Sequence, residues 1–224
     1  MINDLFPIDA RPREKLLTYG AEVLSDVELL AIFLNTGTKE KTVIALAREL
    51  LTRYTSLASL LHASNEELQS INGIGNAKAV TLQAILELCR RYLWEQACEQ
   101  PMTNTSVALK KYLQMRLKHK QREVFVCLFL SPQLRVIHYE ELFQGTLTQV
   151  TVYPREIVKL ALSHNAHAVV LGHNHPSGEA RPSAADLAIT LQIKQALSTM
   201  EILLLDHIII AQSAVYAFSE HGDL

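Results

Sequence analysis

Gly172-His173-Asn174-His175-Pro176-Ser177-Gly178, followed after a polar loop by Pro182-Ser183-Ala184-Ala185-Asp186, is the stretch on which the fold turns. It begins where the apolar run from Ala168 to Leu171 ends, so it reads as the close of a buried strand leading into a helix. Histidines at i and i+2 on an extended segment point to the same side, which lets His173 and His175 share one ion. Asp186 is the natural third ligand, because the ten residues between it and His175 allow a loop to return a carboxylate from the first turn of the next helix. Three protein ligands with a fourth position open to water suit a catalytic zinc site better than a structural one.

A plainer reading competes for the downstream half. Ser183-Ala184-Ala185-Asp186 also fits a helix start in which Ser183 caps and Asp186 answers from the third position. The two readings exclude each other in part, since Asp186 cannot fully serve a cap while its oxygen holds a metal. For the histidines the plain alternative is a pair of polar residues closing a strand.

Outward from this stretch the second half of the chain alternates strands and helices. A helix is expected from Ser106 to Lys120, with Val107, Leu109, Leu113 and Leu117 inward and its charges on a solvated face. Val124 to Leu130 is apolar at consecutive positions, as in a strand covered on both faces, and a break at Ser131-Pro132-Gln133 leads to a strand at Leu134–Ile137. A strand around 142–150, a helix from Pro154, a helix from Ser183 to about Thr199, and strands at 202–211 and 214–218 complete a sheet with helices packed against it. His138, His164, His167 and His221 read as surface or turn residues, and Asp206-His207 as a pair satisfying each other or nearby backbone.

The first half reads differently. Ser25-Asp26-Val27-Glu28 and Ser64-Asn65-Glu66-Glu67 are capping boxes. Leu29, Leu30, Ile32 and Phe33, then Val43, Ile44, Leu46, Ala47, Leu50 and Leu51, recur at helical spacing around a break at Asn35–Thr38. A bundle of short helices is expected up to about Glu95. Within it, Ile71-Asn72-Gly73-Ile74-Gly75-Asn76-Ala77-Lys78 resembles the helix-hairpin-helix turn, in which Gly73 and Gly75 would expose backbone N–H groups to a phosphate and Lys78 would add a positive charge. Alternatively the glycines simply end one helix and begin the next. Tyr92 and Trp94 are more readily packing residues than base-stacking ones. Cys98 to Ser106 loses periodicity, as linkers do, and places the boundary between domains 1–102 and 103–224.

Composition bounds the function. With 224 residues, 49% of them hydrophobic, the chain can bury a core, and a net charge of −2 argues against a strongly basic nucleic-acid binder. Cys89, Cys98 and Cys127 form neither a disulfide framework nor a Cys-x-x-Cys pair, which points to a reducing cytoplasm. No apolar run approaches the roughly 18–20 residues that a membrane span needs, so no membrane partner is expected.

His173-Asn174-His175-Pro176 with Ser183 and Asp186 at this spacing resembles the JAMM motif of MPN-type metalloproteases. More narrowly, the chain resembles the RadC family. The resemblance rests on Arg13-Glu14-Lys15, Asp26 to Leu30, Gly73-Ile74-Gly75, Pro154-Arg155-Glu156-Ile157, His173 to Gly178 and Asp206-His207, and it spans nearly the full length. It implies an α+β, two-domain fold: a small helix-hairpin-helix-like bundle, then an MPN/JAMM-type mixed β-sheet flanked by helices. By the same resemblance His173, His175 and Asp186 would bind Zn2+, and Ser183 would donate to a developing oxyanion. An upstream glutamate would relay the proton of the attacking water. Glu123 matches that glutamate best and Glu156 is its rival, while Glu179 is peripheral. The implied function is zinc-dependent hydrolysis of a protein or peptide substrate at a peptide or isopeptide bond. The alternatives are a DNA-binding accessory protein whose metal domain is structural and, ranked below it, a phosphodiesterase.

Overall fold

A computed structural model describes residues 11–99, 107–144 and 152–224. The chain forms two compact units, Met1–Cys89 and Arg90–Leu224.

In the first unit, α1 (Pro12–Tyr19), α2 (Asp26–Leu34), α3 (Val43–Tyr54), α4 (Leu57–Leu61) and α5 (Asn65–Gln69) precede the long helix α6 (Asn76–Glu99). Both expected capping boxes are present, at Ser25/Glu28 and Ser64/Glu67. The core gathers Leu30, Ala31 and Leu34 from α2, Leu46, Ala47 and Leu50 from α3, and Ile71, Ile74 and Leu82 from the hairpin and α6. Phe33, one of the apolar residues at helical spacing, is half exposed, because the buried stripe of α2 runs through positions 30, 31 and 34. The division between units falls inside α6. The expected linker is corrected at its start, since Cys98 and Glu99 are helical; residues 100–106, including the expected boundary at 102/103, lie outside the described residues.

The second unit is organised by strand parity. Its sheet has the order β2-β1-β3-β4-β5, where β1 is Val124–Leu130, β2 Val136–Gln144, β3 Ala168–Asn174, β4 Leu203–Ile210 and β5 Val215–Ala217. Among the described strands only β3 and β4 run parallel, joined through the helix α9 (Ala184–Ser198). On one face Val124, Val126, Leu128, Leu130, Ala168, Val170, Ile208 and Ile210 pack with Leu109, Leu113 and Leu117 of α7 (Val107–Leu117). Trp94 packs there too, its ring centroid 5.0 Å from that of Tyr112. On the other face Phe125, Cys127, Phe129, Val169 and Leu171 meet Ile157 and Ala161 of α8 (Pro154–Ser163) and Ile193 and Leu197 of α9. A sheet covered on both faces explains why β1 and β3 are apolar without alternation.

The expected mixed sheet with flanking helices is what the structure shows. Its details differ in two places: Val107 is exposed rather than inward, and the expected separate strands at 134–137 and 142–150 are continuous over the described part, Val136–Gln144. Ser106 and residues 145–150 lie outside the described residues. Among the described residues no helix is long and apolar enough to cross a membrane.

Candidate metal centre

Parity also builds the site. His173 continues the Val169, Leu171 series onto the face covered by α9, and Gly172 and Asn174 continue the other series toward α7. At Gly172 a Cβ would meet Val126 Cγ2 at 3.0 Å and Leu113 Cδ1 at 3.4 Å, so a side chain there would press against β1 and α7. Past the strand end, His175 returns to the first face. His173 Nε2 and His175 Nε2 lie 2.8 Å apart.

Helix α9 delivers Asp186 to the same point. Its buried stripe is Asp186, Thr190, Ile193 and Leu197, polar at the N-terminal end over the strand ends and apolar where it joins the core. Asp186 Oδ1 lies 3.2 Å from His173 Nε2 and Oδ2 lies 3.5 Å from His175 Nε2. The expected helix cap of Ser183 and Asp186 is present, and the same carboxylate also lies against both histidines. Oδ2 accepts the Ser183 N–H (2.7 Å) and hydroxyl (2.6 Å), the Ser183 hydroxyl accepts the Asp186 N–H (3.2 Å), and Oδ1 is left to face His173. Ser183, expected to aim its hydroxyl at substrate, donates it here to Asp186. Burial alone would raise the Asp186 pKa, but hydrogen bonds with His173 and His175 outweigh it and hold the carboxyl well below its usual range. The same Asp186 hydrogen bond pushes His175 upward against burial.

Glu123 completes the cluster just before β1, with Oε1 4.0 Å from His173 Nε2. One ligand atom from each of Glu123, His173, His175 and Asp186 lies within 4.8 Å of every other. Glu156, the rival, sits in the first turn of α8 and pairs with Arg155 at 3.4 Å. Glu179 touches the site only through its carbonyl, which accepts the His175 Nδ1–H at 2.8 Å.

The donor set fits a divalent zinc-like cation. Because the Glu179 carbonyl can only accept, a neutral His175 carries its proton on Nδ1 and turns a bare Nε2 lone pair inward. In that neutral form the lone pair faces His173 and an ionised carboxylate, a convergence of acceptors that either a proton on Nε2, hydrogen-bonded to Asp186, or a bound cation relieves. The separations of 2.8 to 3.5 Å between these atoms overlap the roughly 3.3–3.6 Å edge of a tetrahedron with zinc–ligand bonds of about 2.0–2.2 Å.

A family model described as RadC-like JAB domain matches residues 103–223, more than half of the chain. The chain belongs to the RadC family. A second model, UPF0758 N-terminal, matches residues 2–80. The relatives are similar from end to end. UPF0758 proteins from Ralstonia pickettii and Janthinobacterium sp. are 48% and 49% identical over 219 residues, 98% of this chain and of each relative. One from Saccharophagus degradans is 50% identical over 218 residues, 97% of each chain. RadC membership and a JAB-type domain carrying a candidate metal site thus stand together.

Two parts of the site were not foreseen from the RadC-like motifs. Asn174, the spacer of His-x-His, is buried, accepts the Val124 N–H at 2.8 Å and donates to the carbonyls of Lys120 and Arg122 at 3.1 Å each. It thereby clamps the segment that presents Glu123. Asp206 satisfies nearby backbone as expected, accepting the backbone N–H of His207 and binding Ser219, but the His207 ring does not pair with it and reaches His173 Nδ1 at 2.8 Å and Thr190 at 2.7 Å. Burial pushes the His207 pKa well below its usual value. A polar Thr190 four residues after Asp186, on the stripe that continues as Ile193 and Leu197, was the sequence signal available.

In the first unit, Gly73 and Gly75 behave differently. Gly73 has φ +98°, and a Cβ there would lie 2.5 Å from Thr38 Cγ2, whereas a Cβ at Gly75 meets open space. Lys78 donates to the carbonyls of Gly73 (2.9 Å) and Gly37 (3.4 Å), and burial lowers its pKa. Its ammonium therefore ties two turns of the unit together.

Proposed function

We propose that the second unit is a zinc-dependent hydrolase of peptide or isopeptide bonds. The observation that carries this reading is the geometry of the cluster: two imidazoles and Asp186 converge on one point, and Glu123 stands beside them as a second, more distant carboxylate. His173, His175 and Asp186 would hold the ion. Zinc, when bound, supplies Lewis acidity that activates water and polarises a carbonyl.

Glu123 takes the proton released as water oxygen forms its bond to the carbonyl carbon, and it returns that proton to the leaving nitrogen as the C–N bond breaks. One water is consumed, yielding a carboxylic acid and an amine. Ser183 has a hydroxyl at the edge of the site, and it serves the oxyanion only when that hydroxyl turns from Asp186 Oδ2 toward substrate.

Metal analysis of the purified protein and hydrolysis of peptide and isopeptide probes test the reading together. One zinc per chain is expected, lost in His175→Ala and kept in Glu123→Gln, whose turnover falls about 10²–10⁴-fold. A native protein without stoichiometric zinc, or a Glu123→Gln variant turning over at the native rate, overturns it.

A further inference from the structure

We propose that His207 is a positioning residue that, together with Thr190, fixes His173 in the tautomer whose Nε2 lone pair faces the metal site. The inference rests on the metal-site reading above and explains how its first ligand is held.

A chain of contacts with one possible direction carries it. Thr190 Oγ1 lies 2.5 Å from the carbonyl oxygen of Asp186 and 2.7 Å from His207 Nδ1. A carbonyl only accepts, and a threonine hydroxyl has one hydrogen, so that hydrogen goes to Asp186. Thr190 must then accept from His207, which places the His207 proton on Nδ1. A fully buried imidazole stays neutral, so His207 Nε2 is a bare acceptor. Across 2.8 Å it takes the Nδ1–H of His173, leaving His173 Nε2 without a proton and aimed at His175 and Asp186. The backbone carbonyl of Asp186 thus sets the tautomer of one ligand while its own carboxylate offers another.

The ring that transmits this order cannot turn. His207 stacks on Phe218 with centroids 4.7 Å apart and meets Phe125 edge-on at 5.5 Å. Its place follows from a register shift: Val169 pairs with Leu204 but Val170 with Asp206, so β4 gains a residue at Leu205 and its parity reverses. Without that bulge the series begun by Leu204 would turn Asp206 to this face. The bulge instead gives His173 a neutral acceptor, which adds no charge to the core and polarises the ligand less than a carboxylate would.

The test reads tautomers in the metal-free protein and metal binding separately. Long-range 1H–15N spectra of histidine-labelled, metal-free protein at pH 8 should show His173 and His207 both as Nδ1–H tautomers. His207→Leu, which keeps apolar volume but offers no acceptor, should weaken zinc binding about 10–100-fold in chelator competition and shift the visible band of the cobalt-loaded protein. His207→Gln, whose carbonyl oxygen can accept the same proton, should restore most of the affinity. Thr190→Val removes only the hydroxyl and should give His207 a mixture of tautomers, so it keeps the question open to measurement where the leucine variant does not fold. An Nε2–H tautomer at His173, or a His207→Leu protein with native zinc affinity and cobalt band, overturns the proposal. A native protein that binds neither metal sinks the metal-site reading instead, and the tautomer spectra still decide what His207 does.

Discussion

Two acidic residues at the third position of a helix, Glu28 and Asp186, show how one local motif is put to different uses. Glu28 accepts the Ser25 N–H at 2.8 Å and pairs with Lys15 at 2.9 Å; the backbone hydrogen bond and then the lysine hold its pKa below 4.5. Asp186 makes the same box with Ser183 but lies against two histidines, so one oxygen caps and the other faces His173 in the candidate metal site. A carboxyl depressed in the native state adds stability above its unfolded pKa, and that stability is lost as pH falls through the native value. Glu28→Gln should therefore cost about 0.5–1 kcal/mol near neutrality, with the gap to the native protein closing below about pH 4.5. Urea midpoints at pH 7 and pH 3.5 measure it, and a gap that widens toward acid contradicts the sign.

At the scale of elements, β3 is a strand whose two faces serve one site from opposite sides. Odd positions bring His173 to α9; even positions bring Asn174 to the segment after α7, where it holds Lys120, Arg122 and Val124 around Glu123. The spacer of His-x-His is therefore part of the packing that places Glu123 beside the cluster. Asn174→Ala leaves a buried N–H and two carbonyls to find new partners, which should cost roughly 2–4 kcal/mol. Hydrogen exchange at the Val124 amide reads the clamp directly: protection should fall sharply while His173 and His175 still bind zinc. Unchanged protection at Val124 would show that Asn174 does not hold this segment.

Across the whole molecule the candidate site lies entirely within the second unit, and its four residues lie in or directly beside β1, β3 and α9 of one sheet-and-helix core. Metal removal should therefore act locally. At free zinc about 100 times the dissociation constant, binding adds about 2.7 kcal/mol of stability. Chelation should lower hydrogen-exchange protection in β3 and α9 and leave α2 and α3 unchanged. Equal losses in both units would place the linkage elsewhere.

Much of this was legible in the chain because it depends on local order. Capping boxes close over three residues, parity on an extended strand sets His173 and His175 to one side, and continuous apolar runs mark doubly covered strands. The sequence by itself determined the two-part architecture, the RadC kinship and the convergence of two histidines with Asp186. What only the tertiary structure decided are relations between elements. These include Asn174 reaching back to Glu123, Lys78 turning inward to two carbonyls, and the bulge at Leu205 that exchanges Asp206 for His207 behind His173. The physical reason is that a shift of one residue in strand pairing reverses every side chain after it, and pairing register is settled by neighbours distant in the chain.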